Sequence, residues 1–194
     1  MTIGLTIIDM QNDFVLPEAP ACIPNAHATI PAIRLALDFF RRESLPIFHI
    51  IRNYRPDGSD IELTRRAAFL AGPKYALPGT RGAEIVSELA PLPGEHVIVK
   101  PRFSAFMGTE FDLVLRRCGV THLAICGTQY PNCIRATAFD SISYGYPTTI
   151  LVDATSAATQ EVALGNIRDM QAIGIECIPF QEFAQKIRPA NPAA

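Results

Sequence analysis

Three side chains in this sequence have the chemistry of a nucleophilic site, and each stands just past a short apolar run. Asp9 follows the run 3–8, Lys100 ends the run 96–100, and Cys133 comes shortly after the run 122–126. The segment 122–137 carries the most information. An apolar run too short for a helix ends at Gly127, a polar turn containing Pro131 follows, and Ile134, Thr137, Ala138 and Ser141 then recur at helical spacing. Strand, tight turn and helix place Cys133 at or near the first helical turn. Free N–H groups and the positive end of the helix dipole favour a thiolate there, so the expectation is a lowered thiol pKa. A thiolate attacks carbonyl carbon, a carboxylate such as Asp9 takes the thiol proton and returns it to a leaving amine, and Lys100 holds the carboxylate and favours the negative sulfur.

These groups must be positioned by strands that share one sheet. The run 3–8 is apolar throughout, as in strands buried on both faces of a parallel sheet. Further strands are expected over 47–51, 96–99, 122–126, 148–152 and 175–179. Helices are expected over 28–42, 61–70, 83–89, 109–117, 133–143, 160–173 and 181–187. The segment 10–14 reads as a loop. Strands alternating with helices at this pitch give right-handed crossovers. The fold class is therefore α/β: a three-layer α/β/α, Rossmann-like arrangement with a six-stranded, mostly parallel sheet and helices on both faces. Reactive groups in such sheets gather at the carboxyl ends of the strands, and if the three strands are neighbours the trio converges on one crevice. The chain reads as one domain over 1–188 with a loose tail over 189–194. The Gly- and Pro-rich segment 71–82 is long for a connection and reads as a functional or interface loop.

Composition narrows the classes. The chain has 194 residues, 48% hydrophobic and 19% charged, enough for a sizeable core. A net charge of -2, with arginine pairs scattered at 41–42, 65–66 and 116–117, argues against nucleic acid as a partner. No apolar run approaches membrane-spanning length, and no secretory leader is visible. Five cysteines without CxxC spacing point away from a disulfide framework or a zinc site and towards a reducing, cytoplasmic setting.

Three blocks, Ile7-Ile8-Asp9-Met10-Gln11-Asn12-Asp13-Phe14, Lys100-Pro101-Arg102-Phe103-Ser104-Ala105-Phe106 and Gly127-Thr128-Gln129-Tyr130-Pro131-Asn132-Cys133, resemble in order the signature blocks of the isochorismatase-like cysteine hydrolases. That family includes nicotinamidases and N-carbamoylsarcosine amidase. The resemblance implies a catalytic triad of Asp9, Lys100 and Cys133. It also implies a non-proline cis peptide at Thr128-Gln129 and an oxyanion hole made by the backbone N–H groups of Gln129 and Cys133. Metal-containing nicotinamidases carry Asp and His after the second strand and near the middle loop. Here Arg52-Asn53-Tyr54-Arg55 stands after strand two, and no His lies between His49 and His96. The expectation is thus no metal, no cofactor and a substrate other than nicotinamide. His49, within its strand, reads as a core histidine.

The function implied is a metal-independent cysteine amidohydrolase that cleaves a C–N bond of a small amide, carbamoyl or lactam-like substrate through a thioester. The alternatives are a non-catalytic family member that binds a small molecule or a protein, and a hydrolase of an ether or ester. Phe14, Tyr54, Arg55, Phe106 and Tyr130 are the candidate substrate contacts, with Arg55 or Arg102 able to pair a substrate carboxylate. Asp153 and Thr155 are expected to brace the site. A homodimer or homotetramer is expected, since family members commonly assemble so.

Overall fold

The computed structural model describes residues 2–187; the tail expected over 189–194 lies outside them. Six parallel strands are present: β1 (Ile3–Ile8), β2 (Ile47–Arg52), β3 (His96–Lys100), β4 (His122–Gly127), β5 (Thr148–Thr155) and β6 (Glu176–Ile178), in the order β3-β2-β1-β4-β5-β6. Among the described residues seven α-helices accompany them: α1 (Asn12–Val15), α2 (Ile30–Arg42), α3 (Leu63–Ala71), α4 (Phe111–Arg117), α5 (Arg135–Ser143), α6 (Gln160–Ala172) and α7 (Phe180–Ile187). The sheet is sandwiched between two apolar layers. Ile33, Leu37 and Phe40 of α2 and Phe183 of α7 pack with Leu5 and Ile7 in one cluster. Phe111 and Leu115 of α4, Ala138 of α5 and Met170 of α6 pack with Ile8, Leu123 and Ile125 in the other. Each such side chain, fully buried, stabilises the fold by ~1.5–3 kcal/mol relative to exposure. This is the expected three-layer α/β/α class.

All six residues of β1 are buried because β1 is central, paired in parallel with β2 on one side and β4 on the other. From β1 the chain winds out to β2 and β3, then crosses back to lay down β4 on β1's other side. The carboxyl ends of β1 and β4 thus form the topological switch point, where such sheets open a crevice.

Several elements differ from the sequence expectation. The segment 83–89 is not a helix. It forms 3-10 turns at Arg81–Ala83 and Ser87–Leu89, and the stretch between them pairs antiparallel through Gln11 and Ile85. Its backbone is engaged elsewhere: Glu84 accepts from the N–H of Asn12 at 2.9 Å and Val86 donates to Met10 at 2.9 Å. The expected 10–14 loop holds one helical turn, α1. β5 continues to Thr155, three residues beyond the expected end. The 71–82 segment is anchored at Ala76, while residues 71–73 and 78–81 stay exposed. Ala76 is buried, its N–H donates to Asp13 Oδ2 at 2.7 Å and its carbonyl accepts from the N–H of Tyr54 at 2.8 Å. With Phe14, Tyr54, Ile61 and Phe69 it closes a third apolar cluster beside the carboxyl ends of β1 and β2. No helix is long and apolar enough to cross a membrane among the described residues.

Candidate active site

Asp9 is the first residue past β1, at φ 52°, with its N–H held by the carbonyl of Ile50 at 2.8 Å. Cys133 lies in a π-type turn, Tyr130–Ile134, between β4 and α5. Two features let the chain make that turn. Gly127 has φ 111°, and a Cβ there would run into the backbone of Ile8, so β4 can lie against the end of β1 only with glycine at this position. Downstream, the Thr128–Gln129 peptide bond is cis, the Thr128 N–H donates to Ile8 at 2.9 Å, and Ser156 Oγ donates to Thr128 Oγ1 at 2.8 Å. Gln129 lines the cavity beside Cys133, and its own N–H has no hydrogen-bond partner among the described residues. Gly127→Ala is expected to destabilise the protein by about 2–4 kcal/mol, since both a disfavoured φ and a backbone clash are introduced. Urea denaturation measures this, and a midpoint equal to wild type would show that the strand end relaxes freely.

Lys100 comes from farther away than the sequence suggests. β3 is not a neighbour of β1, because β2 lies between them. The lysine side chain crosses β2 to place Nζ 2.8 Å from Asp9 Oδ2 and 3.4 Å from Cys133 Sγ. Lys100 is 0% exposed, Asp9 3% and Cys133 5%, so the three expected residues do meet in one buried place. Lys100 and Asp9 form a buried pair in direct contact, so each offsets part of the cost of burying the other. The other carboxylate oxygen, Asp9 Oδ1, is a buried acceptor with no hydrogen-bond partner among the described residues.

The intervening strand supplies a fourth group that sequence reasoning missed. Arg52, the last residue of β2 and in register with Lys100, is 1% exposed. Its Nη2 lies 3.4 Å from Cys133 Sγ and donates to the carbonyl of Arg102 at 2.9 Å. Its Nη1 pairs with Glu62 Oε1 and donates to the Tyr54 hydroxyl at 2.8 Å, and that hydroxyl donates to Glu62 Oε2 at 2.6 Å. Burial pushes the Glu62 carboxyl up, but Arg52 and Tyr54 outweigh it and hold the group below its ordinary value. Burial also works against the Arg52 charge, and the anionic groups around it, Asp9 first, more than offset that. The signal was present in the sequence: Arg52 ends an apolar strand just as Lys100 does.

The sulfur sits between two cations, yet its expected activation is not what the geometry gives. Burial pushes the Cys133 thiol up and Asp9 pushes it further, while Lys100 and Arg52 oppose both without prevailing. The helix start does not lower it because the sulfur is withdrawn from water, and desolvation of a charged form exceeds a terminal dipole effect of roughly 0.3–1 kcal/mol. Burial and Asp9 thus favour the thiol over the thiolate. Iodoacetamide labelling of Cys133 is therefore expected to be slow at pH 7 and to accelerate above pH 9, as the thiolate fraction grows. Fast labelling at pH 6–7, followed by mass spectrometry of the Cys133 peptide, would contradict this.

The candidate substrate contacts divide. Phe14 lines the cavity over Cys133, with Ile23, Arg52, Arg65, Thr128, Gln129 and Asn132. Tyr54 does not; it stands behind Arg52, bonded to Glu62. Arg55 is exposed, its N–H donating to Asp60 and its carbonyl accepting from the N–H of Gly58, and its side chain makes no hydrogen bond among the described residues. Phe106 turns to the α4 side, against Phe111 and Tyr144. Tyr130 is buried on the β5–β6 side near Cys177, away from the sulfur. Each correction has the same origin: a residue beside a site in the sequence lies on either side of a strand or turn, and packing chooses the side. Arg102 lies in a neighbouring outer cleft, its Nη1 donating to the carbonyls of Asp60 and Pro101. Asp153 caps α7, accepting from the N–H of Phe180 at 2.9 Å, so the bracing role falls to Ser156. His49 is buried and bonded to Glu95 at 2.8 Å, where burial lowers its pKa.

A divalent cation has no donor set here. Among the described residues no group of three or more His, Cys, Asp or Glu side chains clusters as metal ligands, and the polar groups facing the sulfur include two cations.

A parallel α/β sheet with a cysteine, a lysine and an aspartate gathered at its switch point defines a class of hydrolase. The chain belongs to the isochorismatase family: the isochorismatase domain model matches residues 4–182. A probable inactive nicotinamidase from Arabidopsis thaliana is 37% identical over 189 residues, covering 95% of each chain. A ureidoacrylate amidohydrolase from Cronobacter sakazakii is 36% identical, covering 84% of this chain and 80% of its own. The crystal structure of an isochorismatase family protein from Desulfovibrio vulgaris superposes with a TM-score of 0.92 at 51% identity, covering 96% and 98% of the two chains.

Proposed function

We propose that this isochorismatase-like hydrolase is a metal-independent cysteine amidohydrolase acting on a small amide, carbamoyl or lactam-like substrate. The observation that carries the reading is the buried contact chain from Asp9 Oδ2 through Lys100 Nζ to Cys133 Sγ, at 2.8 and 3.4 Å. As Sγ bonds to the carbonyl carbon, the thiol proton passes to Asp9, whose Oδ1 is open to receive it. The carbonyl oxygen becomes an oxyanion facing the N–H groups of Gln129 and Cys133. The C–N bond then breaks and Asp9 returns the proton to the departing nitrogen. Water attacks the thioester, its proton goes to Asp9 and on to the leaving sulfur, and an acid is released. Lys100 and Arg52, each 3.4 Å from Sγ, offset the negative charge as it passes from Asp9 towards the reacting atoms. The amidohydrolase among the relatives supports the bond class.

A panel of primary amides, carbamoyl compounds and cyclic amides, read by ammonia release and by the mass of Cys133 adducts, tests this. Turnover of one class with an acyl adduct on Cys133 is expected. Binding with neither turnover nor adduct would instead favour a non-catalytic binder, a reading to which the narrowness of the cavity, about 20 Å³, lends weight. The reading also includes a cytosolic homodimer or homotetramer. Val97 and Val99, exposed on the edge strand β3, are the apolar surface that assembly would cover, and sedimentation showing only monomer at micromolar concentration would count against it.

A further inference from the structure

The charges around Cys133 do not cancel. Lys100 is matched by Asp9 and Arg52 by Glu62, each in direct contact. One more charged residue lines the same cavity, Arg65. Among the described residues no carboxylate lies within 4 Å of its guanidinium; it rests on the ring of Phe103, 4.8 Å from the centroid, and Arg52 stacks on that ring as well at 5.5 Å. Arg65 is therefore the one uncompensated charge facing the nucleophile. A half-buried cation without a paired counter-ion favours an anion beside it, and a guanidinium suits a carboxylate in a two-pronged pairing.

The position of Arg65 also makes it movable. It rides on α3, where Phe69 is the single buried residue. The cavity of about 20 Å³ has room for about one water, so any amide enters only as a wall gives way. The Arg65 guanidinium makes no hydrogen bond or ion pair among the described residues, whereas Arg52, Asp9 and Lys100 are held in the hydrogen-bonded cluster. Asn132 of the same cavity also lines a cleft of about 440 Å³, together with Arg102 and with Phe103, the ring on which Arg65 rests.

We infer that Arg65 determines specificity: it binds the carboxylate of a substrate whose scissile amide or carbamoyl group reaches Cys133. The inference deepens the amidohydrolase reading and rests on it for the identity of the scissile bond. The substrate class is then a small amide or ureide bearing a free carboxylate, and the reaction that consumes the product takes a carboxylic acid with an amine or a second carboxyl group.

The test pairs carboxylates with their methyl esters: N-carbamoylglycine, N-carbamoyl-β-alanine and malonamate, each against its neutral ester. Affinity is measured calorimetrically on the Cys133→Ala protein, and kcat/KM on the wild type. At least one carboxylate is expected to bind and to be cleaved tenfold or more better than its ester. In Arg65→Gln that advantage should fall below threefold, through KM, and Arg65→Lys should restore part of it. Esters favoured equally, no binding by any carboxylate, or an advantage intact in Arg65→Gln would each overturn the inference. Neutral amides cleaved without charge preference would overturn it and leave the amidohydrolase reading standing. An Arg65-dependent preference in binding, with neither turnover nor a Cys133 adduct for any compound, would support the anion site and overturn the amidohydrolase reading.

Discussion

Cys133→Ala is expected to lower the turnover of a cleaved amide on the order of 10⁴–10⁶-fold while leaving the far-ultraviolet circular dichroism unchanged. When a nucleophile is lost from a unit of mutually dependent groups, only substrate positioning and oxyanion donors remain, and losses of this size follow. Folding should tolerate the change. The sulfur makes no protein hydrogen bond shorter than 3.4 Å, and the alanine methyl leaves the Lys100–Asp9 and Arg52–Glu62 pairs intact. Cys126→Ala is the control. That thiol is also buried, but it lies inside β4, where burial pushes its pKa beyond use. Turnover above a tenth of wild type in Cys133→Ala would make the sulfur a bystander and favour ether or ester hydrolysis by another group on the same scaffold.

Arg52→Met is expected to show the second large effect, on stability as well as on the thiol. Methionine fills much of the volume but leaves Glu62 buried beside the Tyr54 hydroxyl without its cation. Breaking a buried pair from one side costs ~3–5 kcal/mol, which for a chain of this size lowers Tm by roughly 6–20 °C. Adding Glu62→Gln to Arg52→Met should recover part of the loss, because the stranded charge is then gone. The pH dependence follows from the direction of the Glu62 shift. Its folded pKa lies below its ordinary value, so the pair contributes above the unfolded carboxyl pKa of about 4.3 and the contribution fades as pH falls below that. The gap in Tm between wild type and Arg52→Met should therefore narrow below about pH 4. The variant also takes a cation from the sulfur, so the labelling profile of Cys133 should move to higher pH. A Tm change under about 2 °C would show that water, not Glu62, satisfies the Arg52 charge.

The strands were legible in this sequence because apolar runs of five or six residues, closed by Gly, Pro or a charged residue, have few other stable outcomes in water. The long helices, α2 and α6, were legible for a similar reason: their inward residues recur at helical spacing over three turns. The turns at Arg81–Ala83 and Ser87–Leu89 were not, since a short segment with weak periodicity takes whatever conformation satisfies its backbone, here by bonding to residues 10–12. The trio Asp9, Lys100 and Cys133 could be picked out because each residue ends or closely follows a strand. The part played by Arg52 could not, although it obeys the same rule, because its role depends on β2 lying between β3 and β1.

By itself, then, the chain's pattern of apolar runs and strand-end polar residues determined a parallel α/β sheet and which end of it bears reactive groups. These are properties of local segments, and burial drives them wherever the segments lie. Tertiary structure alone decided that Lys100 must reach across a strand to Asp9, that Arg52, Glu62 and Tyr54 enter the same buried cluster, and that Phe106 and Tyr130 do not line the cavity over Cys133. It also reversed the expected behaviour of the sulfur, because a thiol's ionisation answers to the water and charges around it in three dimensions, and those are supplied by residues far apart in the chain.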